Sequence, residues 1–228
     1  MSGGWATPPG GGPLMLLSGA RRASAHAARV PRAAVFLDRD GVINELVTDP
    51  LSGHGESPLR VEDVRLLPGA AAAVARLARA GWALVCVTNQ PAAAKGVVPI
   101  AQLLAVHERV LELLAMEGCN GRHGEAQLDA SYLCPHHPEG TVAGLGGPCD
   151  CRKPGAGMLR AAAGALGLDL ANSWMVGDTD ADIAAGAAAG CRTLLVGNPA
   201  SVHKRLRVLT PDIDAGSLRE GVEQLGSR

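Results

Sequence analysis

Val35-Phe36-Leu37-Asp38-Arg39-Asp40-Gly41-Val42-Ile43-Asn44 is the stretch whose reading decides the fold. A short apolar run stops at two carboxylates spaced one residue apart and a glycine, the pattern of a buried parallel strand ending in a sharp turn. Alternate residues of a strand share a side, so Asp38 and Asp40 are aimed together. In open α/β sheets ligands sit beyond the carboxyl ends of the strands, which puts both carboxylates in that crevice. Like charges so close repel unless a cation or a proton neutralises one of them. The pair therefore suggests a Mg²⁺ site, or a nucleophile with a separate acid/base. A solvated turn would satisfy the same Asp-x-Asp-Gly, and the rest of the chain has to decide.

Outward from that strand, short apolar runs alternate with Ala-rich helical stretches. Strands are expected at Ala34–Leu37, Ala83–Thr88, Trp174–Val176 and Arg192–Val196, with a weaker one at Ser131–Leu133; helices are expected at Gly69–Ala80, Pro99–Met116, Gly157–Leu166 and Asp180–Ala189. This predicts an α/β fold, a parallel sheet with helices on both faces, in one domain over residues 32–228. Residues 1–31, rich in Gly, Ala, Pro and Arg without a period, read as a disordered N-terminal extension. Glu45–Pro68, broken by Pro50, Gly53, Gly55 and Pro58, is too long for a simple turn and is expected to face the substrate.

The composition narrows the partners. With 47% apolar residues in 228, a packed core is available, and the net charge of −1 gives no general attraction to nucleic acid or an anionic membrane. An anionic ligand would need a local basic site. No apolar run approaches the ~18 residues of a membrane span. Pro13–Leu17 is shorter than a secretory apolar region of roughly 7 to 15 residues, and Arg21 and Arg22 follow it rather than precede it. A cytoplasmic monomer is expected, in which clustered Cys and His point to a metal before a disulfide.

Three more polar clusters stand where elements begin or end: Thr88-Asn89-Gln90, Cys151-Arg152-Lys153-Pro154 and Gly177-Asp178-Thr179-Asp180-Ala181-Asp182. Thr88 and Asn89 could simply cap a helix, and Asp178 to Asp182 could be an acidic first turn. Four clusters in register with four elements instead suggest one site for phosphoryl transfer. Asp38 is the candidate nucleophile, forming an aspartyl-phosphate, and Asp40 the general acid/base. Lys153, the Thr88 hydroxyl and backbone N–H groups after Asp38 would stabilise the transferring charge. Asp38, the Asp40 carbonyl and Asp178 would hold Mg²⁺.

These four segments resemble the motifs of the haloacid-dehalogenase-like phosphatases, over residues 35 to about 196. The resemblance implies a Mg²⁺-dependent Rossmann-like enzyme with nucleophile Asp38, acid/base Asp40, phosphoryl-binding Thr88 and Lys153, and metal ligand Asp178, with Asp182 steadying the site.

Cys134-Pro135-His136, followed after twelve residues by Cys149-Asp150-Cys151, offers three sulfurs and one nitrogen, the set of a closed structural Zn²⁺ site. Such a metal would hold the Gly-rich loop Pro138–Pro148 and fix Arg152 and Lys153. A disulfide, or a loop with incidental cysteines, is the competing reading. Cys86, Cys119 and Cys191 read as packing residues.

The Cys/His loop resembles that of the heptose 1,7-bisphosphate 7-phosphatases and, more loosely, their histidinol-phosphate phosphatase relatives. That likeness implies a small phosphorylated sugar as substrate, no large cap domain, and substrate contacts from Arg152, Asn89 and Gln90. The three loops Glu45–Pro68, Gln90–Val98 and Pro138–Pro148 would close over it. Pro91-Ala92-Ala93-Ala94-Lys95-Gly96 departs from the Ser-Gly-Ile-x-Arg-Gly usual there, so Lys95 supplies the cation. Other small sugar phosphates, and a catalytically idle zinc-bearing interaction module, remain alternative readings.

Overall fold

The apolar run ending at Leu37 forms the strand Arg32–Leu37 at the centre of a seven-stranded sheet. The computed structural model describes residues 4–6, 12–17, 31–118, 126–206 and 209–225. In chain order its elements are β1 (Leu14–Leu17), β2 (Arg32–Leu37), β3 (Val47–Thr48), β4 (Gly55–Glu56), α1 (Ala70–Arg79), β5 (Ala83–Asn89), α2 (Ile100–Gly118) and β6 (Ala130–Cys134). They continue with α3 (Gly157–Leu166), β7 (Leu168–Gly177), α4 (Asp180–Ala189), β8 (Arg192–Val196), β9 (Ile213–Ala215) and α5 (Leu218–Gln224). The sheet order is β1-β6-β5-β2-β7-β8-β9, parallel throughout except for β1.

The expected doubly covered sheet is present. Val35 and Leu37 pack with α1, α2 and α5 on one face, while Ala34 and Phe36 pack with α3 and α4 on the other. Strand alternation buries both sets, which is why the run is apolar without a break. Ala70, Ala71, Ala73 and Ala75 of α1 let that helix approach the sheet closely. Between β2 and α1 the chain makes only the hairpin β3–β4 and a 3₁₀ turn at Val61–Asp63, with no large cap. No helix among the described residues is long and apolar enough to cross a membrane.

Leu14–Leu17 depart from the reading of residues 1–31 as a disordered extension. They form β1, an antiparallel edge strand in register from Leu14 against Leu133 to Leu17 against Ala130. Four consecutive apolar residues too short for a signal segment can still cover an exposed sheet edge, and Ala6 bridges Met15 in turn. β9 and α5 are too short to show a period in the sequence. Cys119 lies outside the described residues.

Candidate active site

The register of the central strands builds the site. Leu37 is level with Cys86 on one side and Val176 on the other, so Asp38, Asp178 and Thr88, the last still in β5, come to one rim. Gly41 is required there. Its φ is +90°, and a Cβ on it would fall 2.1 Å from Asp178 Oδ2. Asn198 and Arg205 steady the rim from outside: Asn198 Nδ2 donates to the Gly41 carbonyl at 3.0 Å, and Arg205 Nε to the Asp178 carbonyl at 2.7 Å.

Lys153 is buried at the centre of the rim. Its ammonium lies 2.8 Å from Asp38 Oδ1 and 2.6 Å from Asp182 Oδ1, and donates to the Val87 carbonyl at 2.8 Å. Burial alone would lower its pKa, but the charges of Asp182 and Asp38 outweigh that and raise it. Its backbone is fixed as well: Asn89 donates to the Lys153 carbonyl and accepts from its N–H, both at 3.0 Å. Asp182 Oδ2 meanwhile accepts from the Thr179 N–H and hydroxyl, closing the N-terminus of α4.

The two carboxylates of the opening motif are in different states. Asp38 Oδ1 accepts from Lys153 and from the Arg39 N–H at 2.7 Å. Burial nevertheless pushes Asp38 up to about 8, against the pull of Lys153 and with the help of Asp182 and Asp178. Burial also pushes Asp40 up, but there the Arg39 guanidinium outweighs it, and Asn44 adds to the lowering, so Asp40 lies below the usual carboxylate range. Both Asp40 oxygens are held: Oδ1 by Arg39 Nε (3.0 Å) and Asn44 (2.8 Å), Oδ2 by Arg39 (2.8 Å) and Gln90 (2.6 Å).

Asp178 is the exposed need of the site. Both its carboxylate oxygens are buried with no hydrogen-bond partner, and burial together with Asp182 raises it to about 7. Asp38, Asp178 and Asp182 each offer an oxygen within 4.8 Å of the others. Buried carboxylates without donors are costly, and hard oxygens in such a group suit Mg²⁺. Because Asp182 is engaged by Lys153 and Thr179, Asp38 and Asp178 are the carboxylates left for the ion.

A cavity of about 350 Å³ opens over this rim and is lined by Asp38, Asp40, Thr88, Asn89, Lys95, Arg152, Lys153, Asp178 and Asp182 among others. Gln90 is not among the lining residues. It is buried, and its amide donates to Asp40 and to Thr88 Oγ1 (2.9 Å) rather than reaching into the cavity. The loop Glu45–Pro68 does face the cavity, through Leu46, Glu56 and Ser57, which no motif had singled out. Ser201 and Lys204, from a 3₁₀ turn at Pro199–Lys204, are further lining residues that only the fold brings there.

Cys134, His136, Cys149 and Cys151 converge beside β5, where Cys134 is level with Asn89. Five of the six distances between their ligand atoms are 3.1 to 3.7 Å. A tetrahedral zinc with three sulfurs and a nitrogen would set them about 3.5 to 3.8 Å apart. No disulfide joins them. The hydrogen bond from Cys151 lowers the Cys134 thiol to about 6 and raises that of Cys151, as expected of sulfurs that cannot all be thiolates without a cation. The loop Pro138–Pro148 supplies none of the lining residues. It props the Lys95 loop instead, with the Thr141 and Val142 N–H groups donating to the Ala94 carbonyl at 2.8 and 3.0 Å.

Comparisons with known proteins agree with this geometry. A family model described as HAD-hydrolase-like matches residues 150–220. The chain is 45% identical over 170 residues, 73% of its length and 80% of the relative's, to a D-glycero-D-manno-heptose-1,7-bisphosphate 7-phosphatase of Thermosynechococcus vestitus. It is 36% identical over 187 residues to the D-glycero-beta-D-manno-heptose-1,7-bisphosphate 7-phosphatase of Pseudomonas aeruginosa, covering 82% of this chain and 91% of that one. Among solved structures, a D,D-heptose 1,7-bisphosphate phosphatase from B. bronchiseptica complexed with magnesium and phosphate superposes with a TM-score of 0.67 at 32% identity, over 85% of this chain and 97% of that one. A strand-tip carboxylate and a helix carboxylate clasped by one buried lysine, on this sheet and with these relatives, leave one assignment: the chain belongs to the haloacid-dehalogenase-like phosphatases, in the branch that holds the heptose bisphosphate phosphatases.

Proposed function

We propose that this chain is a Mg²⁺-dependent phosphatase that hydrolyses the 7-phosphate of D-glycero-D-manno-heptose 1,7-bisphosphate. The observation that carries the reading is the convergence of Asp38, Thr88, Lys153 and Asp178 on one cavity whose outer wall carries Lys95 and Arg152. The names of the relatives support the choice of sugar, and a second phosphate explains cations on the wall of a nearly neutral protein.

Asp38 Oδ2, which accepts no hydrogen bond from a described residue, attacks phosphorus while Oδ1 stays on Lys153. The ester P–O bond breaks as the aspartyl P–O bond forms; Asp40, ionised in the free protein, takes up a proton as the phosphate dianion binds beside it, and gives that proton to the leaving alkoxide. Asp40 then takes a proton from the water that cleaves the aspartyl-phosphate, releasing phosphate and restoring Asp38. Arg39, Asn44 and Gln90 stabilise the ionised Asp40 between the two steps. The Thr88 hydroxyl donates to a phosphoryl oxygen, while Lys153, whose three protons go to Asp38, Asp182 and the Val87 carbonyl, holds the nucleophile in place. Mg²⁺, held by Asp38, Asp178 and the Asp40 carbonyl, would supply charge neutralisation at the phosphoryl group. Zn²⁺ on Cys134, His136, Cys149 and Cys151 would have no open position. Its role would be to fix Arg152, whose guanidinium donates to the His136 carbonyl at 3.3 Å.

The test is kcat/KM for both anomers of the heptose bisphosphate beside fructose 1,6-bisphosphate and histidinol phosphate. The heptose bisphosphate should lead by at least tenfold, about 1.4 kcal/mol of transition-state binding. A win for histidinol phosphate would overturn the sugar while sparing the chemistry.

A further inference from the structure

We propose that Lys204 sets specificity by completing, with Lys95 and Arg152, an outer anion site for the phosphate that is not hydrolysed. The inference rests on the phosphatase reading above. Five carboxylates and four cations line the cavity, and they divide into two zones. In the inner zone Lys153 is buried between Asp38 and Asp182, so its charge is committed. Lys95, Arg152 and Lys204 remain against the single carboxylate of Glu56, a surplus of two positive charges that matches a phosphate dianion.

Lys204 is held ready in this arrangement. Its ammonium donates to the Gly55 carbonyl at 3.1 Å and pairs with Glu56 at 3.2 Å, which leaves a third proton for a ligand. The pair is partly exposed, 36% at Lys204 and 52% at Glu56, so exchanging Glu56 for a phosphate costs little. The position is well defined because the β3–β4 hairpin is seated on the Pro199–Lys204 turn. A Cβ on Gly55 would extend to 2.6 Å from the Ala200 carbonyl, and the rings of His54 and His203 stack at 4.1 Å. Glu56 thus acts as an internal competitor that the second phosphate displaces.

Steady-state kinetics on Lys204→Met, Lys204→Arg and Glu56→Gln test this with two substrate pairs: heptose 1,7-bisphosphate against heptose 7-phosphate, and fructose 1,6-bisphosphate against fructose 6-phosphate. Lys204→Met should lower the bisphosphate-to-monophosphate ratio of kcat/KM about tenfold through KM, and Lys204→Arg should restore most of it. Glu56→Gln should move KM for the bisphosphate the other way, downward by a few-fold. If the ion pair only straps the hairpin down, both substitutions raise KM together. That outcome, or a ratio unmoved by Lys204→Met, overturns the inference. Wild-type turnover of neither pair overturns the phosphatase reading itself, and turnover of the fructose pair alone overturns only the heptose assignment.

Discussion

Two groups of candidate metal-ligating side chains stand at the carboxyl ends of strands of one sheet, and they differ in what they leave open. Asp38, Asp178 and Asp182 come from strand tips and a helix start, face a cavity, and include two buried oxygens without a donor. Cys134, His136, Cys149 and Cys151 come mostly from loop, and three sulfurs with one nitrogen would make a closed set with no place for substrate. The first group is rigid before any ion arrives because the sheet register fixes it. The second, three thiols and an imidazole crowded together in loop, would need a cation to hold it.

The largest effect should come from Asp38→Asn. Turnover should fall by more than the 10² to 10⁴ typical of losing a general acid/base, with thermal stability and zinc content kept. Phosphate release near the wild-type rate by this folded variant would remove Asp38 from the reaction and collapse the contrast. Cys149→Ala attacks the other group. Zinc content by mass spectrometry should fall from one per chain towards zero, melting should come earlier, and kcat/KM should drop about 10- to 100-fold as Arg152 and the Lys95 loop loosen. A variant without zinc and with unchanged kinetics would make the cluster irrelevant to the cavity.

The smallest effect concerns pH. In the unfolded chain these carboxyls ionise near pH 4, but burial holds Asp178 to about 7 and Asp38 to about 8 in the folded, cation-free protein. Between those limits the native state binds more protons, so stability without Mg²⁺ falls as pH rises through the window. Added Mg²⁺ should therefore raise Tm by roughly 5 °C more at pH 8 than at pH 5. An equal shift at both pH values would show that the carboxylates are not neutralised by the ion.

Much of this was legible from local pattern. α3, α4 and β8 begin and end where caps and apolar runs place them, and the chemistry-bearing residues sit at strand ends because a two-residue period and a terminal glycine announce such ends. The resemblance extended that reading to roles. That the Gln90 amide goes to Asp40 and Thr88 is not legible, because a sequence position next to a site does not reveal which way an amide points. Leu14–Leu17 looked like part of a featureless leader because an edge strand needs its partner to be recognised.

The sequence by itself determined the alternating fold, the four polar clusters and the Cys/His set, since each is written in neighbouring residues with a fixed spacing. Only the tertiary structure decided that Asp178 keeps two buried oxygens free, that Asp40 is held ionised, and that Glu56 and Lys204 meet across the cavity mouth. Those outcomes depend on burial and on contacts between residues as many as 148 positions apart. Desolvation and long-range pairing are properties of the packed chain, and no local pattern encodes them.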